Sequence, residues 1–136
     1  MGIDYVMCVI TDPEHNEYVT IAKNRPEFLA GKTTFVGGKV EEGESATEAM
    51  IRESKEECGL DINPTLIGYI FGNQYRVFVF KAVVDNIYDA VTMEDEQIKV
   101  YTKEELILAP DSALADNVKS IIHFANGNQI TFEIHQ

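Results

Sequence analysis

Residues 38–60 read GKVEEGESATEAMIRESKEECGL, and their second half carries the marks of a helix. Ser45 stands just ahead of the periodic region as an N-cap, with Glu48 three residues on completing a capping box. Gly59 sits where a C-terminal glycine would stop the helix. At about 100° per residue, Ala46, Ala49 and Met50 make an apolar stripe. The stripe continues into Glu53 and Glu57, with Glu56 at its edge, while Glu48, Arg52 and Lys55 fall on the far side. The core-facing side therefore begins apolar and ends in three carboxylates within an arc of roughly 100°.

Carboxylates so placed repel one another, and burial raises their pKa values further. A hard divalent cation such as Mg²⁺ or Mn²⁺ relieves both strains, and glutamates at i, i+3 and i+4 can aim at one point. A solvated acidic face is the alternative. Such a face would oppose the apolar stripe, whereas this one prolongs it.

The spacing extends beyond the helix. Gly38, five residues, Glu44, seven residues and then Arg52-Glu53-Ser54-Lys55-Glu56-Glu57-Cys58-Gly59-Leu60 resemble the Nudix box, G-x5-E-x7-R-E-U-x-E-E-x-G-U, where U is bulky and apolar. Seven such identities at fixed spacing arise in on the order of 10⁻⁸ of random windows. Ser54 is the one departure, in a place where the family prefers an apolar residue. It lies beside the packed face, where it softens the packing and removes no carboxylate.

The resemblance implies an α/β fold, a Nudix-type α/β/α sandwich with a mixed sheet. It also implies hydrolysis of a pyrophosphate bond in a nucleoside diphosphate linked to another group. By match to the motif, Glu53, Glu56 and Glu57 are metal ligands, the carbonyl of Gly38 is a further one, and Glu44 and Arg52 support the geometry. The implied cofactor is Mg²⁺, with Mn²⁺ as the alternative. A later-loop acid is usual in the family, and Glu96 is its candidate, with Glu94 and Asp95 competing. Lys23, Arg25 and Lys39 are the basic candidates for contacts with substrate phosphates, against a plain surface role. Gly37 and Gly38 let backbone approach backbone, or mark a simple turn.

The run AGKTTFVGGKVEEGE (residues 30–44) resembles the MutT-type subgroup, which acts on nucleoside triphosphates, oxidised purine nucleotides among them. Thr33 and Thr34 stand where that subgroup commonly has tryptophan and asparagine. Pro110-Asp111-Ser112 also resembles it, with Asp111 as a contact to the purine edge; an N-cap role for Asp111 or Ser112 explains the same residues. ADP-ribose, nucleotide sugars and dinucleoside polyphosphates are the alternative substrates. A nucleotide-sensing module without turnover is the alternative from another class, though such modules typically lose box glutamates.

Composition narrows the remaining choices. The chain has 136 residues, 45% hydrophobic and 25% charged, the size and balance of one globular domain spanning 1–136. A formal net charge of −12 argues against nucleic-acid polymers and anionic membranes as partners. An anionic substrate would reach so acidic a protein through bound cations; the resemblance implies a small nucleotide as that partner, and a monomer or homodimer is the expected assembly. Cys8 and Cys58 lack metal-site spacing and read as reduced core residues of a cytoplasmic protein. No signal peptide or membrane-length apolar run is visible.

Along the chain, Tyr5 to Thr11 is a buried-type strand, with Glu17 to Ala22 as its hairpin partner. A loop from Lys23 to Lys32 leads to a short strand over Thr33 to Val36. Leu66 to Phe71 and Tyr75 to Val84 are strands after the box helix, the second alternating and rich in β-branched and aromatic residues. An acidic loop, Asp85 to Glu96, precedes a strand from Gln97 to Tyr101 that is expected beside the box helix. Thr102 and Glu105 form a second capping box. A helix from Ala113 to Ala125, closed by Asn126-Gly127, and a last strand from Gln129 to Ile134 complete the reading.

Overall fold

The sheet is built around strand β1, Ile3–Thr11, whose sequence IDYVMCVIT alternates which side it commits to which core. Val6, Cys8 and Ile10 face one apolar cluster and Val9 faces another, and all four are buried. A strand buried on both faces reads as a near-continuous apolar run, and this one does. The computed structural model describes residues 2–127 and 131–136.

β1 pairs in parallel with β6 (Tyr75–Val83) from Ile3↔Tyr75 to Thr11↔Val83. β6 pairs antiparallel with β5 (Thr65–Gly72), and β5 pairs in parallel with β8 (Phe132–His135). On its other edge β1 takes β4 (Val36–Lys39), with Met7 opposite Gly37 and Val6 opposite Gly38. The expected hairpin of β1 with β2 (Glu17–Ala22) closes only at its turn, Thr11↔Tyr18. Beyond that pair β2 turns instead to β3 (Thr33–Thr34) and β7 (Ile98–Thr102). The Asp12 carboxylate fixes the turn by accepting the backbone N–H groups of Asn16 and Glu17.

Helix α1, Ala46–Cys58, covers one face of the sheet. Its Ala49, Met50 and Cys58 are buried against Val6, Cys8, Ile10 and Phe80. A side chain the size of Met50, wholly buried, contributes about 1.5–3 kcal/mol. The other face is covered by α2 (Lys103–Leu108) and α3 (Val118–Ala125), through Leu106, Val118, Ile121 and Ile122 against Val9, Ile70 and Val79. The result is an α/β/α sandwich with a mixed sheet, as expected. Both capping boxes are formed, Ser45 with Glu48 and Thr102 with Glu105, and Gly59 ends α1 at φ 76°.

Three boundaries differ from expectation. The strand over Thr33 to Val36 is two strands separated at Phe35, which turns its ring into the second core. The helix expected from Ala113 starts five residues later, at Val118. Residues Asp111–Ala113 form one 3-10 turn, and neither Asp111 nor Ser112 caps a helix. Leu114 bridges to Thr33, the Ala115 N–H donates to the Thr33 carbonyl, and Asn117 takes φ 73°, so the backbone there is committed to the sheet edge. β7 pairs with β2, and its Ile98 and Val100 pack against the apolar cluster that α1 covers. Of the expected last strand, Gln129 and Ile130 lie outside the described residues. No helix among the described residues is long and apolar enough to cross a membrane.

Candidate active site

The acidic end of α1 packs over the start of β4, and two glycines make that approach possible. A Cβ on Gly37 would lie 2.1 Å from the Val6 carbonyl oxygen and 2.9 Å from the Met7 Cα. A Cβ on Gly38 would lie 1.7 Å from Oε2 of Glu53, so the Glu53 carboxylate fills the space above the Gly38 backbone. Glu57 is only 7% exposed and accepts the Gly37 N–H at 2.8 Å through Oε1.

Burial sets the electrostatics of this pair. It pushes Glu53 up to about 7, against the pull of Arg52 and with the help of Glu56 and Glu94. It likewise pushes Glu57 up to about 7, opposed by the Gly37 N–H and Lys23 and helped by Glu53 and Glu94. A buried and a partly buried carboxylate, both held up by burial and by neighbouring glutamates, with Glu56 beside them in sequence, are an oxygen-only donor set that a hard divalent cation would relieve. Among the described residues no three acidic, histidine or cysteine side chains already converge on one point. Arg52 accounts for that, since it draws Glu56 to 3.2 Å and Glu53 to 3.6 Å. The donors fit a divalent cation in kind.

Arg52 ties the loop to the helix. Its guanidinium donates twice to Glu44, at 3.0 and 2.6 Å, and once to the Lys39 carbonyl at 3.1 Å. That bidentate pair holds the Glu44 carboxyl below its usual range. Ser54, in the place of an apolar residue, is fully buried and donates to the Leu60 carbonyl at 3.1 Å, so its hydroxyl is satisfied.

Glu96 is also buried. It accepts Lys23 Nζ at 2.9 Å and the Asn24 N–H at 2.7 Å, one with each oxygen. Burial alone would raise its pKa, but those two donors outweigh it and the carboxyl sits below its ordinary value. The loop of residues 23–32 is thereby pinned to the end of the acidic loop. Its ends are closed on themselves by Lys23 N–H to the Lys32 carbonyl at 2.8 Å and Gly31 N–H to the Lys23 carbonyl at 2.9 Å.

Between this loop, β1, β4 and the segment ahead of α3 lies a cavity of about 420 Å³. Gly37, Gly38, Glu57 and Lys23 are among its lining residues. Ile21, Phe35, Ile70 and Val77 line it as well, and Phe28, 76% exposed, belongs to the loop at its wall. The carboxylates and the apolar recess therefore adjoin. Arg25 is exposed and pairs with Asp95 at 3.4 Å, outside the cavity, and Lys39 is exposed as well. Asp111 is not brought to this cavity either. It is 93% exposed, pairs with Lys119 at 3.1 Å and borders a separate hollow of about 270 Å³.

Sequence reasoning passed over Asp116 and Asn117, which do line the larger cavity. Asp-Asn is a turn-forming dipeptide, and Asn tolerates the left-handed region; that signal was available inside a stretch read as helix. Thr34 was considered only as a departure from a family pattern, and it too lines the cavity.

A NUDIX domain family model matches residues 3–123, and the chain belongs to the Nudix family. It is a pyrophosphohydrolase of that family. No curated protein sequence matches it. Similar folds among solved structures include a NUDIX hydrolase from Nitrosomonas europaea, with TM-score 0.78, 17% identity and coverage of 99% of this chain and 80% of that one. The MutT protein from Bacillus halodurans has TM-score 0.74 and 24% identity over 94% of this chain and 85% of its own. The NUDIX domain of Shewanella oneidensis NrtR, complexed with ADP ribose, has TM-score 0.78 and 14% identity over 92% and 86%.

Proposed function

We propose that the chain, acting as one domain, hydrolyses a phosphoanhydride bond of a (deoxy)nucleoside triphosphate with Mg²⁺, in the manner of MutT-type members, oxidised purine nucleotides included. The setting proposed is the cytoplasm and the assembly a monomer or homodimer. The observation that carries this reading is the continuity of the site. Glu57, Gly37 and Gly38 line a largely apolar cavity of about 420 Å³, a size suited to a nucleotide-like ligand. A base held in the recess directs its phosphates toward the acidic end of α1, where a protein of net charge −12 needs a cation to receive them.

Members of the family use divalent metal ions. In this chain Glu53, Glu56 and Glu57, with the Gly38 carbonyl, would hold the metal. Bound there, it supplies neutralisation of phosphate charge and a more acidic water. The chain's own groups do the rest. Arg52 and Glu44 hold the loop against the helix, which keeps the Gly38 backbone beside the glutamates of α1. Lys23, on the cavity wall, is placed to meet a phosphate oxygen. Glu96 stays ionised and keeps Lys23 and the 23–32 loop in position. Phe35, buried in the second core, gives the recess an apolar wall.

ADP-ribose is the second reading, supported by the NrtR domain of similar fold that is complexed with it. A panel separates the two. Nucleoside triphosphates, ADP-ribose, nucleotide sugars and dinucleoside polyphosphates are each incubated with the enzyme and Mg²⁺ or Mn²⁺, and released phosphate and nucleotide are measured. The expected result is the highest kcat/KM on a triphosphate. A preference for ADP-ribose over every triphosphate would replace the first reading with the second.

A further inference from the structure

We propose that β8 is a self-association edge, on which a second copy of the chain pairs antiparallel about a two-fold axis at Ile134. β8 (Phe132–His135) ends the sheet, and among the described residues it pairs only with β5, so its far side is open. One bond fixes the direction of its backbone groups. The Gln136 N–H donates to the Phe71 carbonyl at 2.8 Å, and along a parallel ladder the backbone groups of successive residues alternate sides. Phe132, Ile134 and Gln136 therefore turn their backbone groups to β5, while Glu133 and His135 turn theirs outward. When the strand meets its own copy antiparallel, with Glu133 opposite His135 of the partner subunit, those outward groups form four hydrogen bonds about the axis.

The side chains favour that register over its neighbours. Charged residues on an open edge ordinarily deter pairing, because like charges meet. On β8 an acid and a base share one face: His135 Nε2 lies 3.1 Å from the Glu133 carboxylate, and both side chains are exposed. Turning the strand end for end exchanges the two, so each carboxylate meets the partner's His135. Registers centred on Glu133 or on His135 would set that residue against itself. The rings alongside extend the same face. Phe71 stacks on His135 at 5.0 Å and Tyr69 on Phe71 at 5.6 Å, and neither ring belongs to either apolar cluster of the core. Since Tyr69 stands opposite Glu133 and Phe71 opposite His135, pairing at Ile134 continues this row from one copy into the other. A foreign strand would need the matching order of charges, whereas a second copy supplies it by symmetry.

The test is the mass of the full chain in solution, followed by sedimentation from micromolar to millimolar concentration at pH 7. Wild type, Glu133→Lys, His135→Glu and the double variant carrying both changes are compared. Wild type is expected to pass from one chain to two as the concentration rises. Each single variant sets like charges opposite each other twice across the axis, and is expected to raise the concentration of half-association about ten-fold or more. The double variant restores opposite signs and is expected to half-associate at or below the wild-type concentration. That recovery also shows that the single variants act through the pairing and not through loss of the fold. A wild type that stays a single chain across the whole range would overturn the proposal. So would a dimer indifferent to the single variants, or one lost in them and not restored in the double variant.

Discussion

Gly37 and Gly38 are neighbours with different reasons for lacking a side chain. At Gly37 an added Cβ meets backbone, the Val6 carbonyl and the Met7 Cα, and neither can move without parting β1 from β4. At Gly38 it meets the end of a flexible side chain, the Glu53 carboxylate. Gly37→Ala is therefore expected to lower stability by upwards of about 2 kcal/mol in denaturant unfolding. Gly38→Ala is expected to unfold near the wild-type midpoint while losing most of its hydrolytic turnover, because Glu53 is displaced. Equal destabilisation of the two variants would contradict this division. Glu53 and Glu57 were legible in the sequence because helical period alone puts them on the core side, whereas Glu56, expected at the edge of that stripe, is 49% exposed. The meaning of Ser54 was not legible, since a helix wheel does not show that the Leu60 carbonyl turns back to receive its hydroxyl.

Helix α1 could be read nearly to the residue, because its stop and start are local chemistry: a capping box at Ser45 and a left-handed glycine at Gly59. Helix α3 could not. Its first expected turn is instead held by a long-range bridge from Leu114 to Thr33, and no local signal reports a partner 81 positions away in sequence. The 23–32 loop shows the same dependence on distance, since a residue far along the chain, Glu96, fixes where it sits. That anchor has a pH signature. The Glu96 carboxyl lies below its ordinary value of about 4.5 in the folded chain, so its stabilisation is present above that value and is lost as pH falls through the lower folded one. The melting temperature of Glu96→Gln is expected to lie below wild type at pH 7, with the gap closing on acidification below about pH 4.5. A gap that stays constant or widens toward pH 3 would mean that the Lys23 and Asn24 contacts do not hold the loop.

In the whole molecule, α1 on one face and α2 with α3 on the other leave the end of β4 at the junction of the helix, the 23–32 loop and the cavity. The sandwich was expected from strands interleaved with helices, and β6 was plain from its alternation. The parting of β1 and β2 was not, because nothing within either strand says that β4 will take the vacated edge. That exchange brings Gly37 and Gly38 under α1 and so makes the site. The central claim is that the glutamates on α1 hold the metal that the hydrolysis needs. Its most direct test is steady-state turnover of the best triphosphate with Mg²⁺ by wild type, Glu56→Gln and Glu57→Gln, alongside metal-free melting at pH 8. At that pH both raised carboxyls are ionised and the penalty of burying their charge is developed, so removing the Glu57 charge should leave the melting temperature equal or higher. Expected are a fall in kcat of about a hundred-fold or more in each variant and no loss of stability in Glu57→Gln. Mg²⁺-dependent hydrolysis at the wild-type rate in both variants would contradict the account.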